Sequence, residues 1–173
     1  EDMGTLFFFF FSDGDMDLYV VFGGTESPEG RAYQDRIYLN NGKGQFTKGL
    51  KNIPLTSSSG SCLQVFDADG DGDLDIFRGG RVIPSKYPSA PKSYFFRNEG
   101  QGHFTDQTNQ FLGELATIGM ITSVASLDIN QDSKPDLIVG GEWMSLQVWE
   151  NYGAGFRKTN PEKYGFENTE GMW

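Results

Sequence analysis

Apolar residues in this chain come in short runs, and spacing at the helical period of about 3.6 residues is nearly absent. Residues 18–22, 76–78 and 137–139 are rich in β-formers. Each run is followed by a Gly-Gly pair (Gly23-Gly24, Gly79-Gly80, Gly140-Gly141), which predicts a short strand ended by glycine. A second set of strands is predicted at 36–40, 94–97 and 146–150. Each ends on an Asn-x-Gly turn, at Asn40-Asn41-Gly42, Asn98-Glu99-Gly100 and Asn151-Tyr152-Gly153. Phe46, Phe104 and Phe156 open a third set. Residues 63–66 and 122–127 lead into acidic runs as a fourth. Phe111, Leu115 and Ile118 support at most one helical turn. The five-Phe run at 7–11 admits a buried first strand or an artefact of a fragmentary reading frame.

These elements recur in one order, so the chain is read as a repeat. The acidic runs are Ser12-Asp13-Gly14-Asp15-Met16-Asp17, Asp67-Ala68-Asp69-Gly70-Asp71-Gly72-Asp73-Leu74-Asp75 and Asp128-Ile129-Asn130-Gln131-Asp132-Ser133-Lys134-Pro135-Asp136. Their last aspartates fall at 17, 75 and 136, spaced by 58 and 61 residues. About four short strands per unit at this spacing predicts an all-β fold of β-propeller blades stacked face on face. Three blades do not close a ring. Gly171-Met172-Trp173 repeats Gly119-Met120-Ile121, the lead into the third acidic run. The expectation is therefore a piece of a longer propeller that stops as another blade begins.

The acidic runs carry the candidate chemistry. Aspartate at positions 1, 3, 5 and 9 of a curled loop turns oxygens toward one point, and five carboxylates in nine residues repel one another without a cation. Ca²⁺ takes six to eight oxygen ligands in flexible geometry, whereas Mg²⁺ keeps its waters and transition metals prefer nitrogen or sulfur. In the loop 67–75, Asp67, Asp69, Asp71 and Asp75 are candidate side-chain ligands, and Asp73 a backbone-carbonyl ligand. In 128–136, Asp128, Asn130, Asp132 and Asp136 take the same places and Lys134 offers its carbonyl. The loop near 9–17 is weak: Phe9 and Phe11 replace the first two acids, which leaves Asp13, Asp15 and Asp17. The sequence argues against an EF-hand, because its bidentate Glu at position 12 is replaced by Arg78 and Val139 and the flanks are β. The rival reading is a solvated, metal-free Asx turn, preferred only for the first loop.

Composition narrows the partners. The chain holds 14 Lys and Arg against 24 Asp and Glu, a net charge of −10, which argues against nucleic acid. The longest apolar run, 6–11, is far short of the roughly 18 residues a membrane span needs, and no basic leader precedes it. With one Cys and one His, neither an intrachain disulfide nor a usual His/Cys zinc site can form. Cys62 is expected as a small buried apolar group, and His103 as a surface residue of a hairpin turn.

The runs 67–76 and 128–137, their trailing Gly-Gly and the Asn-x-Gly-x-Gly-x-Phe turns resemble FG-GAP/VCBS repeats. The segment Tyr87-Pro88-Ser89-Ala90-Pro91-Lys92-Ser93-Tyr94 and the later Gly140-Gly141-Glu142-Trp143-Met144 look closer to one branch, the ASPIC/UnbV, cartilage-acidic-protein-like proteins. The resemblance covers 1–173 as part of a seven-bladed, integrin-α-like propeller. It implies Ca²⁺ in the loop joining a blade's first two strands. It also implies an extracellular, cell-surface or periplasmic place and a non-catalytic role in adhesion, recognition or scaffolding. The partner is then a protein or a glycan, beside neighbouring blades of the same parent chain. The alternative is part of a secreted polysaccharide-acting enzyme, for which Glu114 and Glu142 are the unassigned carboxylates. Tyr87, Tyr94 and Trp143 are read as blade-to-blade core first and as a partner site second.

Overall fold

The computed structural model describes residues 1–10, 14–28, 30–49 and 53–169. Among them, twelve strands form three antiparallel four-stranded meanders. The first sheet is β1 (Asp2–Phe8), β2 (Asp17–Phe22), β3 (Arg36–Asn40) and β4 (Phe46–Gly49). The second is β5 (Ser59–Phe66), β6 (Asp75–Val82), β7 (Tyr94–Asn98) and β8 (Phe104–Asp106). The third is β9 (Met120–Leu127), β10 (Asp136–Glu142), β11 (Met144–Asn151) and β12 (Phe156–Thr159). A short helix α1 (Thr108–Phe111) and a 3₁₀ turn at Gly113–Thr117 link the second and third sheets, where one helical turn was expected. The acidic runs each join the first two strands of a sheet. The expected end of the chain at Gly171-Met172-Trp173 lies outside the described residues.

Several strand boundaries differ from the sequence reading: β5, β9 and β11 begin earlier, at Ser59, Met120 and Met144, and two strands end beyond their glycines. β6 and β10 do not end at their Gly-Gly pairs but run through them to Val82 and Glu142. The pairing slips by a residue at these points, so the glycines mark bulges inside strands. The reason is close approach: a Cβ on Gly141 would lie 2.3 Å from the Met120 carbonyl oxygen.

The sheets stack because their side chains alternate. In β6, Ile76 joins a cluster with Phe8, Phe10, Tyr19, Val21 and Ile37 of the first sheet. Its neighbour Phe77 joins Leu137, Val139 and Trp149 of the third. In β7, Tyr94 and Phe96 face the first sheet and Phe95 faces the third. The uninterrupted Tyr94-Phe95-Phe96 run is thus a strand with both faces buried. The phenylalanine run is resolved by the same rule: Phe8 and Phe10 are buried while Phe7 and Phe9 are exposed. Phe10 stacks on Phe104 at 4.9 Å. Phe111 of the linker stacks on Phe95 at 4.4 Å, filling the space between the second and third sheets.

A buried ion pair ties the first two sheets. Arg78 Nε donates to Asp35 Oδ2 at 2.9 Å, with both side chains fully excluded from solvent. Its other nitrogens donate to Ser58 Oγ, the Ser58 carbonyl and the Phe22 carbonyl. Asp35 also accepts from the Tyr19 hydroxyl and the Phe22 N–H. Burial, then the Asp35 charge, pushes the Tyr19 hydroxyl well above its usual range. Gly60 makes room for this cluster, since a Cβ there would sit 2.6 Å from the guanidinium carbon.

Arg78→Met leaves the Asp35 carboxylate buried without its counter-charge. The expected cost is about 3–5 kcal/mol, read by urea unfolding. A second test concerns Glu150, whose carboxylate accepts from Lys163, Tyr164 and Arg157. Those bonds lower its pKa from 4.5 to about 2, Lys163 being the largest cause. The ionised form is favoured in the fold, so its contribution is present above 4.5 and is lost as pH falls toward about 2. Glu150→Gln is expected to flatten the stability profile across that window.

Candidate metal-binding loops

Among the described residues, the aspartate at position nine is the best-buried member of each acidic run. Asp17, Asp75 and Asp136 are at most 1 % exposed, and each opens the second strand of its sheet. Each carboxylate accepts the backbone N–H of the asparagine that ends the third strand: Asn40, Asn98 and Asn151, all at 2.8 Å. In the second and third loops the other oxygen accepts the N–H of position two, from Ala68 at 3.0 Å and from Ile129 at 3.1 Å. The acidic run and the Asn-x-Gly turn, distant in sequence, are therefore one structure. A carboxylate has about four lone-pair sites, so these bonds leave Asp75 and Asp136 capacity for a cation. Burial first, then the charges of Asp69 and Asp71, raises the Asp75 carboxyl to about 7. Burial raises that of Asp136 as well.

The rest of the second and third loops is a ladder of Asx turns. In the second loop, Asp67 accepts from the N–H groups of Gly70 and Gly72, Asp69 from that of Asp71, and Asp71 from that of Asp73. The third repeats it with Asp128 accepting from Asp132 and Ser133, Asn130 from Asp132, and Asp132 from Lys134. Position one clamps the curl, and positions three and five each hold the residue two further on. The side chains then converge. Oxygens of Asp67, Asp69 and Asp71 lie within 4.8 Å of one another. Oxygens bound to one Ca²⁺ at about 2.3–2.6 Å all fall within about 5 Å of each other, so the second loop has the span and the all-oxygen donor set for that ion. Asp73 is half-buried beside them, with its N–H already held.

The three loops are not equivalent. In the third, Asn130 supplies a neutral oxygen and its amide donates to Asp132, which also pairs with Lys134 Nζ at 3.6 Å. In the first, Asp15 is half-buried and Asp17 holds the Asn40 turn, while Phe9 projects to solvent. Asp13 and Phe11 lie outside the described residues.

One residue of the second loop's surroundings escaped the sequence reading. Arg97, next to Asn98 in β7, places Nε 2.6 Å from Asp69 and Nη2 3.2 Å from Asp71. Leu39 and Glu150 stand at the matching places, so only the second unit carries this guanidinium. An arginine just before the conserved-in-repeat asparagine was the available signal. The loop is also tied to the third sheet: Asn151 Nδ2 donates to the Ala68 carbonyl at 2.7 Å, and Ala68 is itself buried in the core between the sheets.

Of the remaining candidates, Tyr94 is 3 % exposed and belongs to the core. His103 is exposed and Glu114 likewise. Cys62 is half-buried, and burial raises its thiol pKa. No helix among the described residues is long and apolar enough to cross a membrane.

Residues 10–77, which run from the phenylalanine segment through the second acidic loop into β6, match the family model of the FG-GAP-like repeat. The chain thus carries an FG-GAP-like repeat, set in three blade-like sheets with acidic loops at one end. No curated protein matches the chain.

Asp75→Asn puts an amide N–H₂ against a backbone N–H, at Ala68 or Asn98. This is expected to cost about 1–3 kcal/mol by urea unfolding, with calcium chelated as well as with calcium present. Asp69→Ala removes a carboxylate from the cluster without breaking that bridge, and its calcium-free stability is expected to stay within about 1 kcal/mol of the parent.

Proposed function

We propose that this chain is a calcium-binding, non-catalytic propeller module of an exported protein, serving adhesion, recognition or scaffolding. The observation that carries the reading is the convergence of Asp67, Asp69 and Asp71 within 4.8 Å, on a loop whose backbone is already curled by Asx turns. The ion's role is structural. It relieves repulsion among these carboxylates and stiffens a loop that Ala68 and Asn151 join to the next sheet. The FG-GAP-like match supports an extracellular, cell-surface or periplasmic setting. Phe7, Phe9 and Phe46 are exposed on the first sheet, with Phe7 and Phe46 rings 6.1 Å apart. This apolar face suits a neighbouring blade of the same parent chain.

Extracellular calcium modules bind with Kd of about 10⁻⁴–10⁻³ M. At ten times Kd one site adds about 1.4 kcal/mol, or roughly 3–6 °C in melting temperature for a chain of this size. Calorimetric titration of the calcium-free chain, with thermal unfolding alongside, is expected to show about two ions bound and a raised midpoint. Asp69→Ala and Asn130→Ala should each remove one ion. No binding in the millimolar range by a chain with a folded β-type circular dichroism spectrum sinks the calcium reading and leaves plain acidic turns.

A further inference from the structure

The end of the sheets opposite the acidic loops holds a second feature. The start of β1, the segment after β2, the end of β6 and the end of β10 meet there. They line a cleft of about 460 Å³ with Met3, Thr25, Arg81, Tyr87 and Glu142 among its walls, drawn from all three sheets. Two large aromatic side chains stand in water beside it: Tyr87, one of its walls, is 57 % exposed, and Trp143, next to the lining residue Glu142, is 58 % exposed. They are not edge residues awaiting a further blade. Tyr87 comes from the connection between β6 and β7 and Trp143 from the turn between β10 and β11, so they bridge a junction internal to the chain. The Trp143 indole N–H donates to the Tyr87 hydroxyl, which fixes the rings relative to one another. Trp143 also holds a left-handed backbone, φ 58°, a conformation that costs a bulky residue about 1–3 kcal/mol and that clusters at ligand sites. In the same cleft Arg81 pairs with Glu142.

We propose that this cleft binds a neutral saccharide. The inference deepens the recognition part of the function proposed above and does not use the calcium loops. Fixed aromatic rings offer an apolar surface to the C–H face of a pyranose. The Arg81–Glu142 pair supplies donors and an acceptor for hydroxyls while adding no net charge. A chain of net charge −10 disfavours acidic sugars and polyanions. The cleft volume falls in the range of small-ligand sites, about 300–1,000 Å³. A stable protein partner needs roughly 800 Å² of surface on each side, which a cleft of this size does not offer by itself.

The test is a titration of the isotope-labelled 173-residue chain with glucose, galactose, mannose, N-acetylglucosamine and their β-linked disaccharides, followed by NMR at the tryptophan indole N–H signals. The Trp143 signal is assigned by its loss in Trp143→Asn, a variant chosen because asparagine tolerates the left-handed backbone. At least one neutral sugar should shift that signal saturably. Trp143→Asn should weaken binding, read from backbone amides lining the cleft, by about tenfold or more. Tyr87→Phe, which keeps the ring but frees the indole, should weaken it by a smaller factor. If Trp143→Asn does not fold, Tyr87→Phe carries the comparison. The proposal is overturned if no sugar moves the Trp143 signal, if the folded variants bind as the parent does, or if glucuronate binds more tightly than glucose. Calcium is absent from one arm and present in the other. Failure of the calcium titration and failure of this one are therefore separate results.

Discussion

A buried carboxylate at the start of the second strand organises each unit of this protein. Asp17, Asp75 and Asp136 lie out of water and accept the N–H of Asn40, Asn98 and Asn151. Such a charge is tolerated inside only where its lone pairs are met. The chain on either side must therefore arrive in one geometry: the acidic run curls over the carboxylate from one side and the Asn-x-Gly turn closes on it from the other. Strand pairing between the second and third strands follows from that junction. So, in the second loop, does the convergence of Asp67, Asp69 and Asp71, since the curl that presents N–H groups to the buried aspartate also turns these side chains toward one another.

The sheets depend on each other in turn. Both faces of the second sheet are apolar, and each is covered by a neighbour. Polar contacts sharpen this stacking at opposite ends. Near the acidic loops, Asn151 of the third sheet holds the Ala68 carbonyl of the second. Between the first and second sheets, Arg78 crosses to Asp35 and to the Phe22 carbonyl. Loop shape and sheet stacking are thus coupled at Ala68, where one residue belongs both to the acidic loop and to the core. Arg97 adds a fixed positive charge that offsets part of the repulsion between Asp69 and Asp71.

Much of this was legible in the chain by itself. Strand positions followed from short β-forming runs and turn residues, because both are local properties of the backbone. The repeat register was legible because the same few residues are needed wherever a buried aspartate meets an Asn-x-Gly turn. The third-strand ends and the phenylalanines that open β4, β8 and β12 fall where the spacing put them. So do the one-sided positions of Asp67, Asp69 and Asp71.

Tertiary structure decided what depends on partners far along the chain. Gly79-Gly80 and Gly140-Gly141 look like strand ends in sequence but lie within strands; at Gly80 and Gly141 neighbouring backbone, the Lys92 and Met120 carbonyls, approaches too closely for a side chain. Tyr94 and Tyr87 are equal as sequence, yet one sits in the core facing the first sheet and the other at the rim of a cleft. The Arg78–Asp35 pair joins residues 43 positions apart, and no local pattern marks which arginine finds which acid. Composition and periodicity specify which backbone each segment prefers. Only the stacking of the sheets specifies which side chains lose their water, and that loss fixes which charges must be paired and which aromatic residues remain exposed.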